Sequence, residues 1–269
     1  MAIENLLQIA VTSIVQGITE FLPISSSGHL FFLNNIFSWS DINLTLMISA
    51  HLGTLLAVIN FFWTDFKKYL ILGPLEIFSK KKTFNFKLFL NLIIGSIPII
   101  VVGFFIKFFQ FDLIYNISLI AISSIFFSIV LFYSDKKTTK RKIEDINFKD
   151  SFVIGFFQIF ALIPGSSRAG VCITAARFLG FDRISAAKYS MYLAVPAISG
   201  ATFLMFISLI EKNSIFLWTE VGAVFTLSFL FAYFTISFFI NLLKKIDFKI
   251  FVIYRIIVAT SFLILFNFF

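Results

Sequence analysis

Four side chains that could take part in catalysis lie in two short polar segments of an otherwise apolar chain. Glu20, Ser26 and His29 belong to the first segment, and Arg168 belongs to the second. A guanidinium binds phosphate oxygens through two parallel hydrogen bonds. Hydroxyl, imidazole and carboxylate groups can attack a phosphorus atom or transfer its protons. The pattern predicts a phosphate pocket with these four as catalytic residues, and the nucleophile, whether Ser26, His29 or water, stays open.

Serines and glycines adjoin the four catalytic candidates in both segments. We expect this set to bind the substrate's phosphate: Ser25, Ser27, Gly165, Ser166 and Ser167. A simpler alternative is one buried ion pair between Glu20 and Arg168 that holds the two segments together. That alternative does not explain why His29 and several serines and glycines gather in the same segments.

The composition indicates an integral membrane protein. Of the 269 residues, 59% are hydrophobic and 13% are charged, and the mean hydropathy is +0.98. Soluble domains have about 45–50% apolar and about 25% charged residues. The net charge of +8 comes from Lys and Arg in short loops, which reports orientation in the membrane. We therefore expect membrane lipid around the chain and no nucleic-acid partner.

Two helix breaks position the polar segments. Because Pro23 disfavours helical geometry at the preceding residue, a second helix should begin after it and run from Ser27 to Trp39. That helix is about 18 Å long at ~1.5 Å per residue, which is half a bilayer. Residues 6–40 are therefore expected to form a re-entrant hairpin, and residues 151–182, broken at Pro164, a second one.

The predicted fold class is an all-α polytopic membrane protein with an inverted-topology repeat. Pro164 follows Pro23 by 141 positions, and the serines behind each proline keep that offset. We expect a single integral membrane domain over residues 1–269. Its parts are repeat one at 1–134, a cytoplasmic loop at 135–150 and repeat two at 151–269.

Six transmembrane helices are predicted beside the two hairpins. They cover residues 44–63, 88–109, 113–133, 184–210, 216–243 and 250–269. Placing the basic loops at 64–87, 134–150 and 244–249 in the cytoplasm makes the two halves antiparallel. The hairpin tips then meet near the midplane, where two helix N-termini form an anion site.

A divalent cation, Mg²⁺ or Ca²⁺, is the candidate cofactor. Glu20 would be its carboxylate ligand, and Gln16, one helical turn earlier, a weaker neutral ligand. His51 and Cys172 are more simply explained as packing residues. Arg255 lies near a predicted span end, and we expect its side chain to extend to the interface.

Four stretches resemble the bacitracin-resistance type of undecaprenyl-diphosphate phosphatases. They are QGITEFLPISSSGH at 16–29, AHLGTLLAV at 50–58, PGSSR at 164–168 and LAVP at 193–196, and the resemblance extends over nearly the whole chain. It implies a bacterial inner-membrane enzyme that removes the terminal phosphate of undecaprenyl diphosphate, with its active site facing outward. Such an enzyme recycles the lipid carrier of peptidoglycan synthesis and confers bacitracin resistance.

The resemblance also bears on individual residues. The family pattern has Glu or Gln followed by Glu four positions later, which corresponds to Gln16 and Glu20. The family's serine, histidine and arginine correspond to the other three catalytic candidates, and a divalent cation accompanies the activity. Ala169 and Cys172 stand where the family usually has serine and threonine, so those hydroxyls are dispensable in an active protein.

Alternatives remain for function and assembly. Inverted repeats with discontinuous helices are also typical of transporters, so a transporter or flippase for an anionic lipid or solute is the rival hypothesis. A structural membrane protein with one ion pair is the third. The expected partner is a polyprenyl diphosphate lipid, and a homodimer is kept as an alternative to a monomer.

Overall fold

The computed structural model describes residues 2–37, 39, 44–78, 83–109, 116–137, 140–211 and 218–268. Within these ranges the protein is all-helical. The β pairing there is limited to one isolated parallel bridge between Arg141 and Phe181. The predicted all-α class is therefore confirmed.

Ten helices of 11 residues or more make up the described chain. They are α1 Ala2–Thr19, α2 Ser26–Ile36, α3 Leu44–Phe61, α4 Phe84–Phe108, α5 Ile117–Asp135, α6 Phe148–Gln158, α7 Arg168–Phe178, α8 Arg183–Glu211, α9 Trp218–Leu242 and α10 Lys249–Phe268. Short helical turns fill residues 63–78 between α3 and α4. From residue 64 onward these turns lie within the basic loop predicted at 64–87.

Five described helices are long and apolar enough to span a bilayer. They are α3, α4, α5, α8 and α9, with 18 to 28 residues each. The chain is thus a multi-pass membrane protein. The sixth predicted span corresponds to α10, which is not among these five, and it stays a prediction. The connection expected at 110–112 and the surface return expected at Asp41 and Asn43 lie outside the described residues.

The two short helices α2 and α7 begin with the same local structure. Ser25 precedes α2 with φ 71°, and its Oγ accepts a hydrogen bond from Gly28 N at 3.3 Å. Ser167 precedes α7 with φ 70°, and its Oγ accepts from Gly170 N at 3.1 Å. Each helix has 11 residues, about 16 Å at ~1.5 Å per residue, which is too short to cross a bilayer.

These equivalent caps correct the predicted register of the repeat. Ser25 matches Ser167, and Gly28 matches Gly170, so the offset at the helix starts is 142 positions rather than 141. The second segment has one more residue between its proline and its cap. Gly165 adopts φ +89°, and a Cβ there would collide with backbone of Ile120, so this tight loop requires glycine.

Several long helices pack against helices from the other half of the chain. Helix α9 packs against α1 and α3, and α4 packs against α6 and α8. Helices α5 and α10 contact each other, as do α3 and α8. One long helix of each half therefore packs against the first helix and the first long helix of the other half. These packing helices are α4 in the first half and α9 in the second. Of the two short helices, α2 contacts α1 and α5, and α7 contacts α5, α6 and α8.

The basic loop around residues 135–150 is anchored by ion pairs. Asp135 is buried and forms ion pairs with Arg177 and Arg183, whose Nε atoms both lie 2.9 Å from its Oδ1. Arg141 pairs with Asp150 at 2.5 Å and donates to Leu179 O at 2.8 Å. These contacts fasten the end of α5 and the start of α6 to the turn between α7 and α8, which fixes the position of α7.

Candidate active site

A cavity of about 230 Å³ lies where the starts of α2 and α7 approach each other. The polar residues that line it are Glu20, Ser25, Ser26, Ser27, His51, Ser167 and Arg168. The apolar residues that line it are Ile99, Ala161, Leu162, Ala197, Ile198 and Ala201. A larger groove of about 850 Å³ on α3, α8 and α9 has no charged residue in its lining. The smaller cavity is therefore the candidate active site.

An ion pair joins the two halves of the chain at this cavity. Arg168 Nη2 lies 2.9 Å from Glu20 Oε1, and both side chains are largely buried. Arg168 is the first residue of α7, and its Nη1 also donates to Ser190 O at 3.1 Å. Because the charges compensate each other, the pair lowers the cost of placing either one at membrane depth.

The Glu20 carboxylate also accepts hydrogen bonds from two neutral side chains. Ser26 Oγ donates to Glu20 Oε2 at 3.1 Å. Gln16 Nε2 donates to the same oxygen at 2.8 Å. The contact with Ser26 points the lone pairs of the hydroxyl away from the carboxylate. Among the cavity-lining serines it is Ser26 whose hydroxyl bonds to a potential base.

The remaining cavity serines have different environments. Ser25 and Ser167 are the helix caps, so an oxygen lone pair of each is already used by a backbone N–H. Ser27 is exposed, and its Oγ lies 3.3 Å from Ser25 Oγ. The first-turn N–H groups of α2 and α7 lack acceptors within their helices. A phosphate oxygen in the cavity would meet donors from both helix starts.

His29 does not line the cavity. Its Nδ1 lies 2.7 Å from Ser25 O, and its Nε2 lies 2.8 Å from the hydroxyl of Tyr254. Because a carbonyl only accepts, Nδ1 carries the hydrogen, and Nε2 of the neutral ring accepts from Tyr254. The two rings are stacked with centroids 5.6 Å apart. The catalytic role of His29 therefore stays a prediction, and Tyr254 had no signal in the sequence.

Gly165 and Ser166 also lie outside the cavity wall. Their carbonyl oxygens accept from Arg255 Nη2 at 2.9 and 3.1 Å. Arg255 Nη1 donates to Pro23 O at 3.3 Å, and Nε donates to Ser124 Oγ at 3.3 Å. Neither Gly165 nor Ser166 lines the cavity. Their expected role in binding phosphate stays a prediction.

The expectation that Arg255 reaches the membrane interface is wrong. Its side chain is 1% exposed and lies between the two helix breaks. Each break leaves backbone carbonyls without a helical partner, and a buried guanidinium with several donors satisfies them. A sequence signal existed, because Arg255 is the seventh residue of the largely apolar α10, and a charge among apolar residues needs buried acceptors.

His51 is a second residue whose position at the cavity was not predicted from the sequence. It lines the cavity, and its Nδ1 lies 3.1 Å from Gln16 Nε2. Gln16 is 2% exposed. Because its Nε2 contacts both side chains, it connects His51 with Glu20. The available signal was the residue type: His51 is the one ionisable side chain of α3. Cys172 is buried, its Sγ is 3.6 Å from Gln158 Oε1, and it packs as expected.

These features define a multi-pass helical membrane protein with a cavity that is lined by a largely buried ion pair between Arg168 and Glu20. The site combines residues from both halves of the chain. A family model described as "Bacitracin resistance protein BacA" matches residues 9–261. The chain belongs to this family, which confirms the resemblance seen in its motifs.

Several curated relatives cover nearly the full length. A protein of Pelagibacter ubique named undecaprenyl-diphosphatase is 42% identical over 270 residues, covering 98% of this chain and 99% of the relative. Relatives with the same name from Jannaschia sp. and Hahella chejuensis are 36% and 35% identical. They cover 97% and 96% of this chain and 98% and 97% of their own lengths.

Proposed function

We propose that the protein hydrolyses undecaprenyl diphosphate to undecaprenyl phosphate and inorganic phosphate. It thereby recycles the lipid carrier of peptidoglycan synthesis and confers resistance to bacitracin. The observation that carries the proposal is the mixed lining of the cavity, in which Glu20, Ser26 and Arg168 occur together with aliphatic side chains. A substrate with a diphosphate on a prenyl chain needs both kinds of lining. The names of the full-length relatives point to the same substrate.

Arg168 is the proposed phosphate clamp. Its guanidinium keeps N–H groups beyond those that bond Glu20 and Ser190, and these can bind oxygens of the terminal phosphate. The first-turn N–H groups of α2 and α7 add donors around the same oxygens. Charge that builds up on the transferred phosphoryl group in the transition state is stabilised by such fixed donors.

Ser26 is the proposed nucleophile, with Glu20 as its base. In this step Ser26 Oγ bonds to the terminal phosphorus, the bond to the bridging oxygen breaks, and undecaprenyl phosphate leaves. The hydroxyl proton passes to Glu20 along the observed hydrogen bond. Water then hydrolyses the phosphoserine and releases inorganic phosphate. The contact between Ser26 and Glu20 favours this route over attack by His29, which does not line the cavity and whose Nε2 accepts from Tyr254.

A divalent cation is the proposed cofactor, and the cavity residues fit it in one specific way. Glu20 offers one carboxylate, and Gln16 lies beside it with its amide nitrogen, not its oxygen, facing that carboxylate. Described residues form no cluster of three or more acidic, histidine or cysteine ligands. Mg²⁺ is often bound by one or two carboxylates together with substrate phosphates. A cation held mainly by the diphosphate would supply further neutralisation of phosphate charge.

The finer topology is also part of the proposal. The helix packing between the two halves and the matching caps of α2 and α7 support an inverted repeat of six transmembrane helices with two re-entrant hairpins. Residues 1–269 then form one domain, with repeats at 1–134 and 151–269. Basic loops support an inner-membrane location with the site opening to the outer face. Assembly as a homodimer remains a prediction.

Phosphate release from undecaprenyl diphosphate by purified protein in detergent tests the function. Wild type should release phosphate, and Arg168→Ala and Glu20→Gln should not. A transporter or flippase for an anionic lipid would bind the substrate in detergent without releasing phosphate. That outcome would overturn the phosphatase assignment and support its rival.

A further inference from the structure

The side-chain amide of Gln16 has only one orientation compatible with its neighbours. Gln16 Nε2 lies 2.8 Å from Glu20 Oε2 and 3.1 Å from His51 Nδ1. The Glu20 carboxylate can only accept hydrogen bonds, so the amide nitrogen rather than its oxygen faces it. The second N–H of the same nitrogen then points at His51. His51 Nδ1 must therefore accept, because an amide nitrogen does not.

This arrangement fixes which nitrogen of His51 carries the hydrogen. With Nδ1 acting as acceptor, the ring hydrogen lies on Nε2. Among the described residues, no hydrogen-bond partner contacts Nε2. His29 differs in this respect, because both of its ring nitrogens are occupied by Ser25 and Tyr254. His51 therefore has a free donor at the cavity, and His29 does not.

The packing of α3 directs His51 toward the cavity. Gly53 lies against α9 so closely that a Cβ would collide with the Phe225 carbonyl. Residues two apart on an α-helix point about 200° apart, at ~100° per residue. Residue 51 therefore points away from α9, toward α1 and the cavity. The close approach at Gly53 holds this orientation.

We propose that His51 is a further substrate-binding residue, whose Nε2–H donates to an oxygen of the substrate's diphosphate group. The inference rests on the proposed function and adds a contact from α3 to the contacts from the starts of α2 and α7. Gln16 orients the Glu20 carboxylate and the His51 ring together. A single buried amide thus couples the proposed base to a phosphate donor.

Substitutions at position 51 can separate this role from packing. His51→Leu removes the donor, whereas His51→Gln keeps an oxygen to accept from Gln16 and an N–H to donate to phosphate. We expect His51→Leu to weaken binding by about ten- to a hundredfold, as for a lost hydrogen bond to a charged group. His51→Gln should bind within about threefold of wild type.

The probe is a non-hydrolysable methylene-diphosphonate analogue of a prenyl diphosphate, titrated into purified protein in detergent micelles. KM and kcat for phosphate release from the hydrolysable substrate, and the thermal unfolding midpoint, are measured on the same protein preparations without the analogue. Equal binding by His51→Leu and wild type would overturn the inference. Equal weakening in both variants with a matching loss of thermal stability would also overturn it, since it would show a packing role. Wild type that binds the analogue but releases no phosphate removes the proposed function and leaves the His51 contact testable by binding.

Discussion

Ser26 Oγ donates to Glu20 Oε2 at 3.1 Å, and this contact identifies one serine among several as chemically distinct. Its neighbour Ser27 is exposed and contacts only another hydroxyl in the described structure. The two adjacent serines therefore form a matched pair for testing the nucleophile.

Ser26→Ala should lower kcat by at least about 10²-fold, since general-base catalysis alone contributes about 10²–10⁴-fold. Ser27→Ala should stay within about tenfold, because Ser27 lacks a base. Phosphate release in detergent, with substrate affinity measured in parallel, checks both values. Near-normal turnover by Ser26→Ala would instead leave water or His29 as the nucleophile.

The ion pair between Glu20 and Arg168 predicts opposite effects on stability and activity. Removing one partner leaves an unpaired buried charge, which costs about 3–5 kcal/mol. Glu20→Gln and Arg168→Met should each destabilise the fold, and the double variant should recover stability because neither charge remains. All three should lack phosphatase activity.

Thermal unfolding and phosphate release of the two single variants and the double variant test this prediction. Arg168→Lys serves as the control, because it keeps the charge but loses bidentate geometry. It should remain folded with weaker substrate binding. A double variant with full activity would show that the pair is purely structural.

Sequence patterns predicted the helices well because apolar spans and proline breaks are local features. The bounds of α8, for example, follow from Arg183 at one end and the long apolar run behind it. The motifs also brought Glu20, Ser26 and Arg168 to one cavity, because serine-rich helix starts tend to face each other in repeated folds. Local patterns were sufficient for these elements.

What the sequence did not predict depends on contacts between distant segments. Arg255 satisfies carbonyls from both helix breaks, 90 or more positions away along the chain. The one-residue error in register arose because Gly165 adopts a left-handed loop that no spacing rule shows. His51 gained its position from close packing at Gly53. Each of these contacts is set by three-dimensional packing rather than by periodicity.

The contact between His29 and Tyr254 allows the predicted catalytic role of His29 to be tested. Tyr254→Phe removes the hydroxyl from His29 Nε2 and leaves the imidazole in place. A neutral hydrogen bond contributes about 0.5–1.5 kcal/mol, so Tyr254→Phe should keep activity within about tenfold. His29→Ala should abolish phosphate release in this prediction. Retained turnover by His29→Ala would remove His29 from the catalytic set and leave Glu20, Ser26 and Arg168.

Arg255 should be a stability determinant of both helix starts. Arg255→Leu leaves the carbonyls of Pro23, Gly165 and Ser166 without donors, and each unsatisfied buried group costs about 1–3 kcal/mol. Arg255→Lys keeps the charge but cannot reach acceptors on both segments, so it should be intermediate. Glu220→Gln, a change at a half-buried position in the first turn of α9, is the control and should unfold like wild type. Thermal unfolding in detergent gives the ranking, and a wild-type midpoint for Arg255→Leu would contradict it.

The single carboxylate at the proposed cation site predicts how activity responds to metal. A chelator should reduce phosphate release, and Mg²⁺ or Ca²⁺ should restore it. Gln16→Glu adds a second carboxylate one helical turn from Glu20, so it should lower the cation concentration needed for half-maximal activity. Gln16→Ala removes the neutral amide and is the control, which should leave that concentration unchanged or raise it. Activity that is indifferent to chelator in wild type and in Gln16→Glu would remove the cation from the mechanism, because phosphate neutralisation would then come from Arg168 and the helix starts alone.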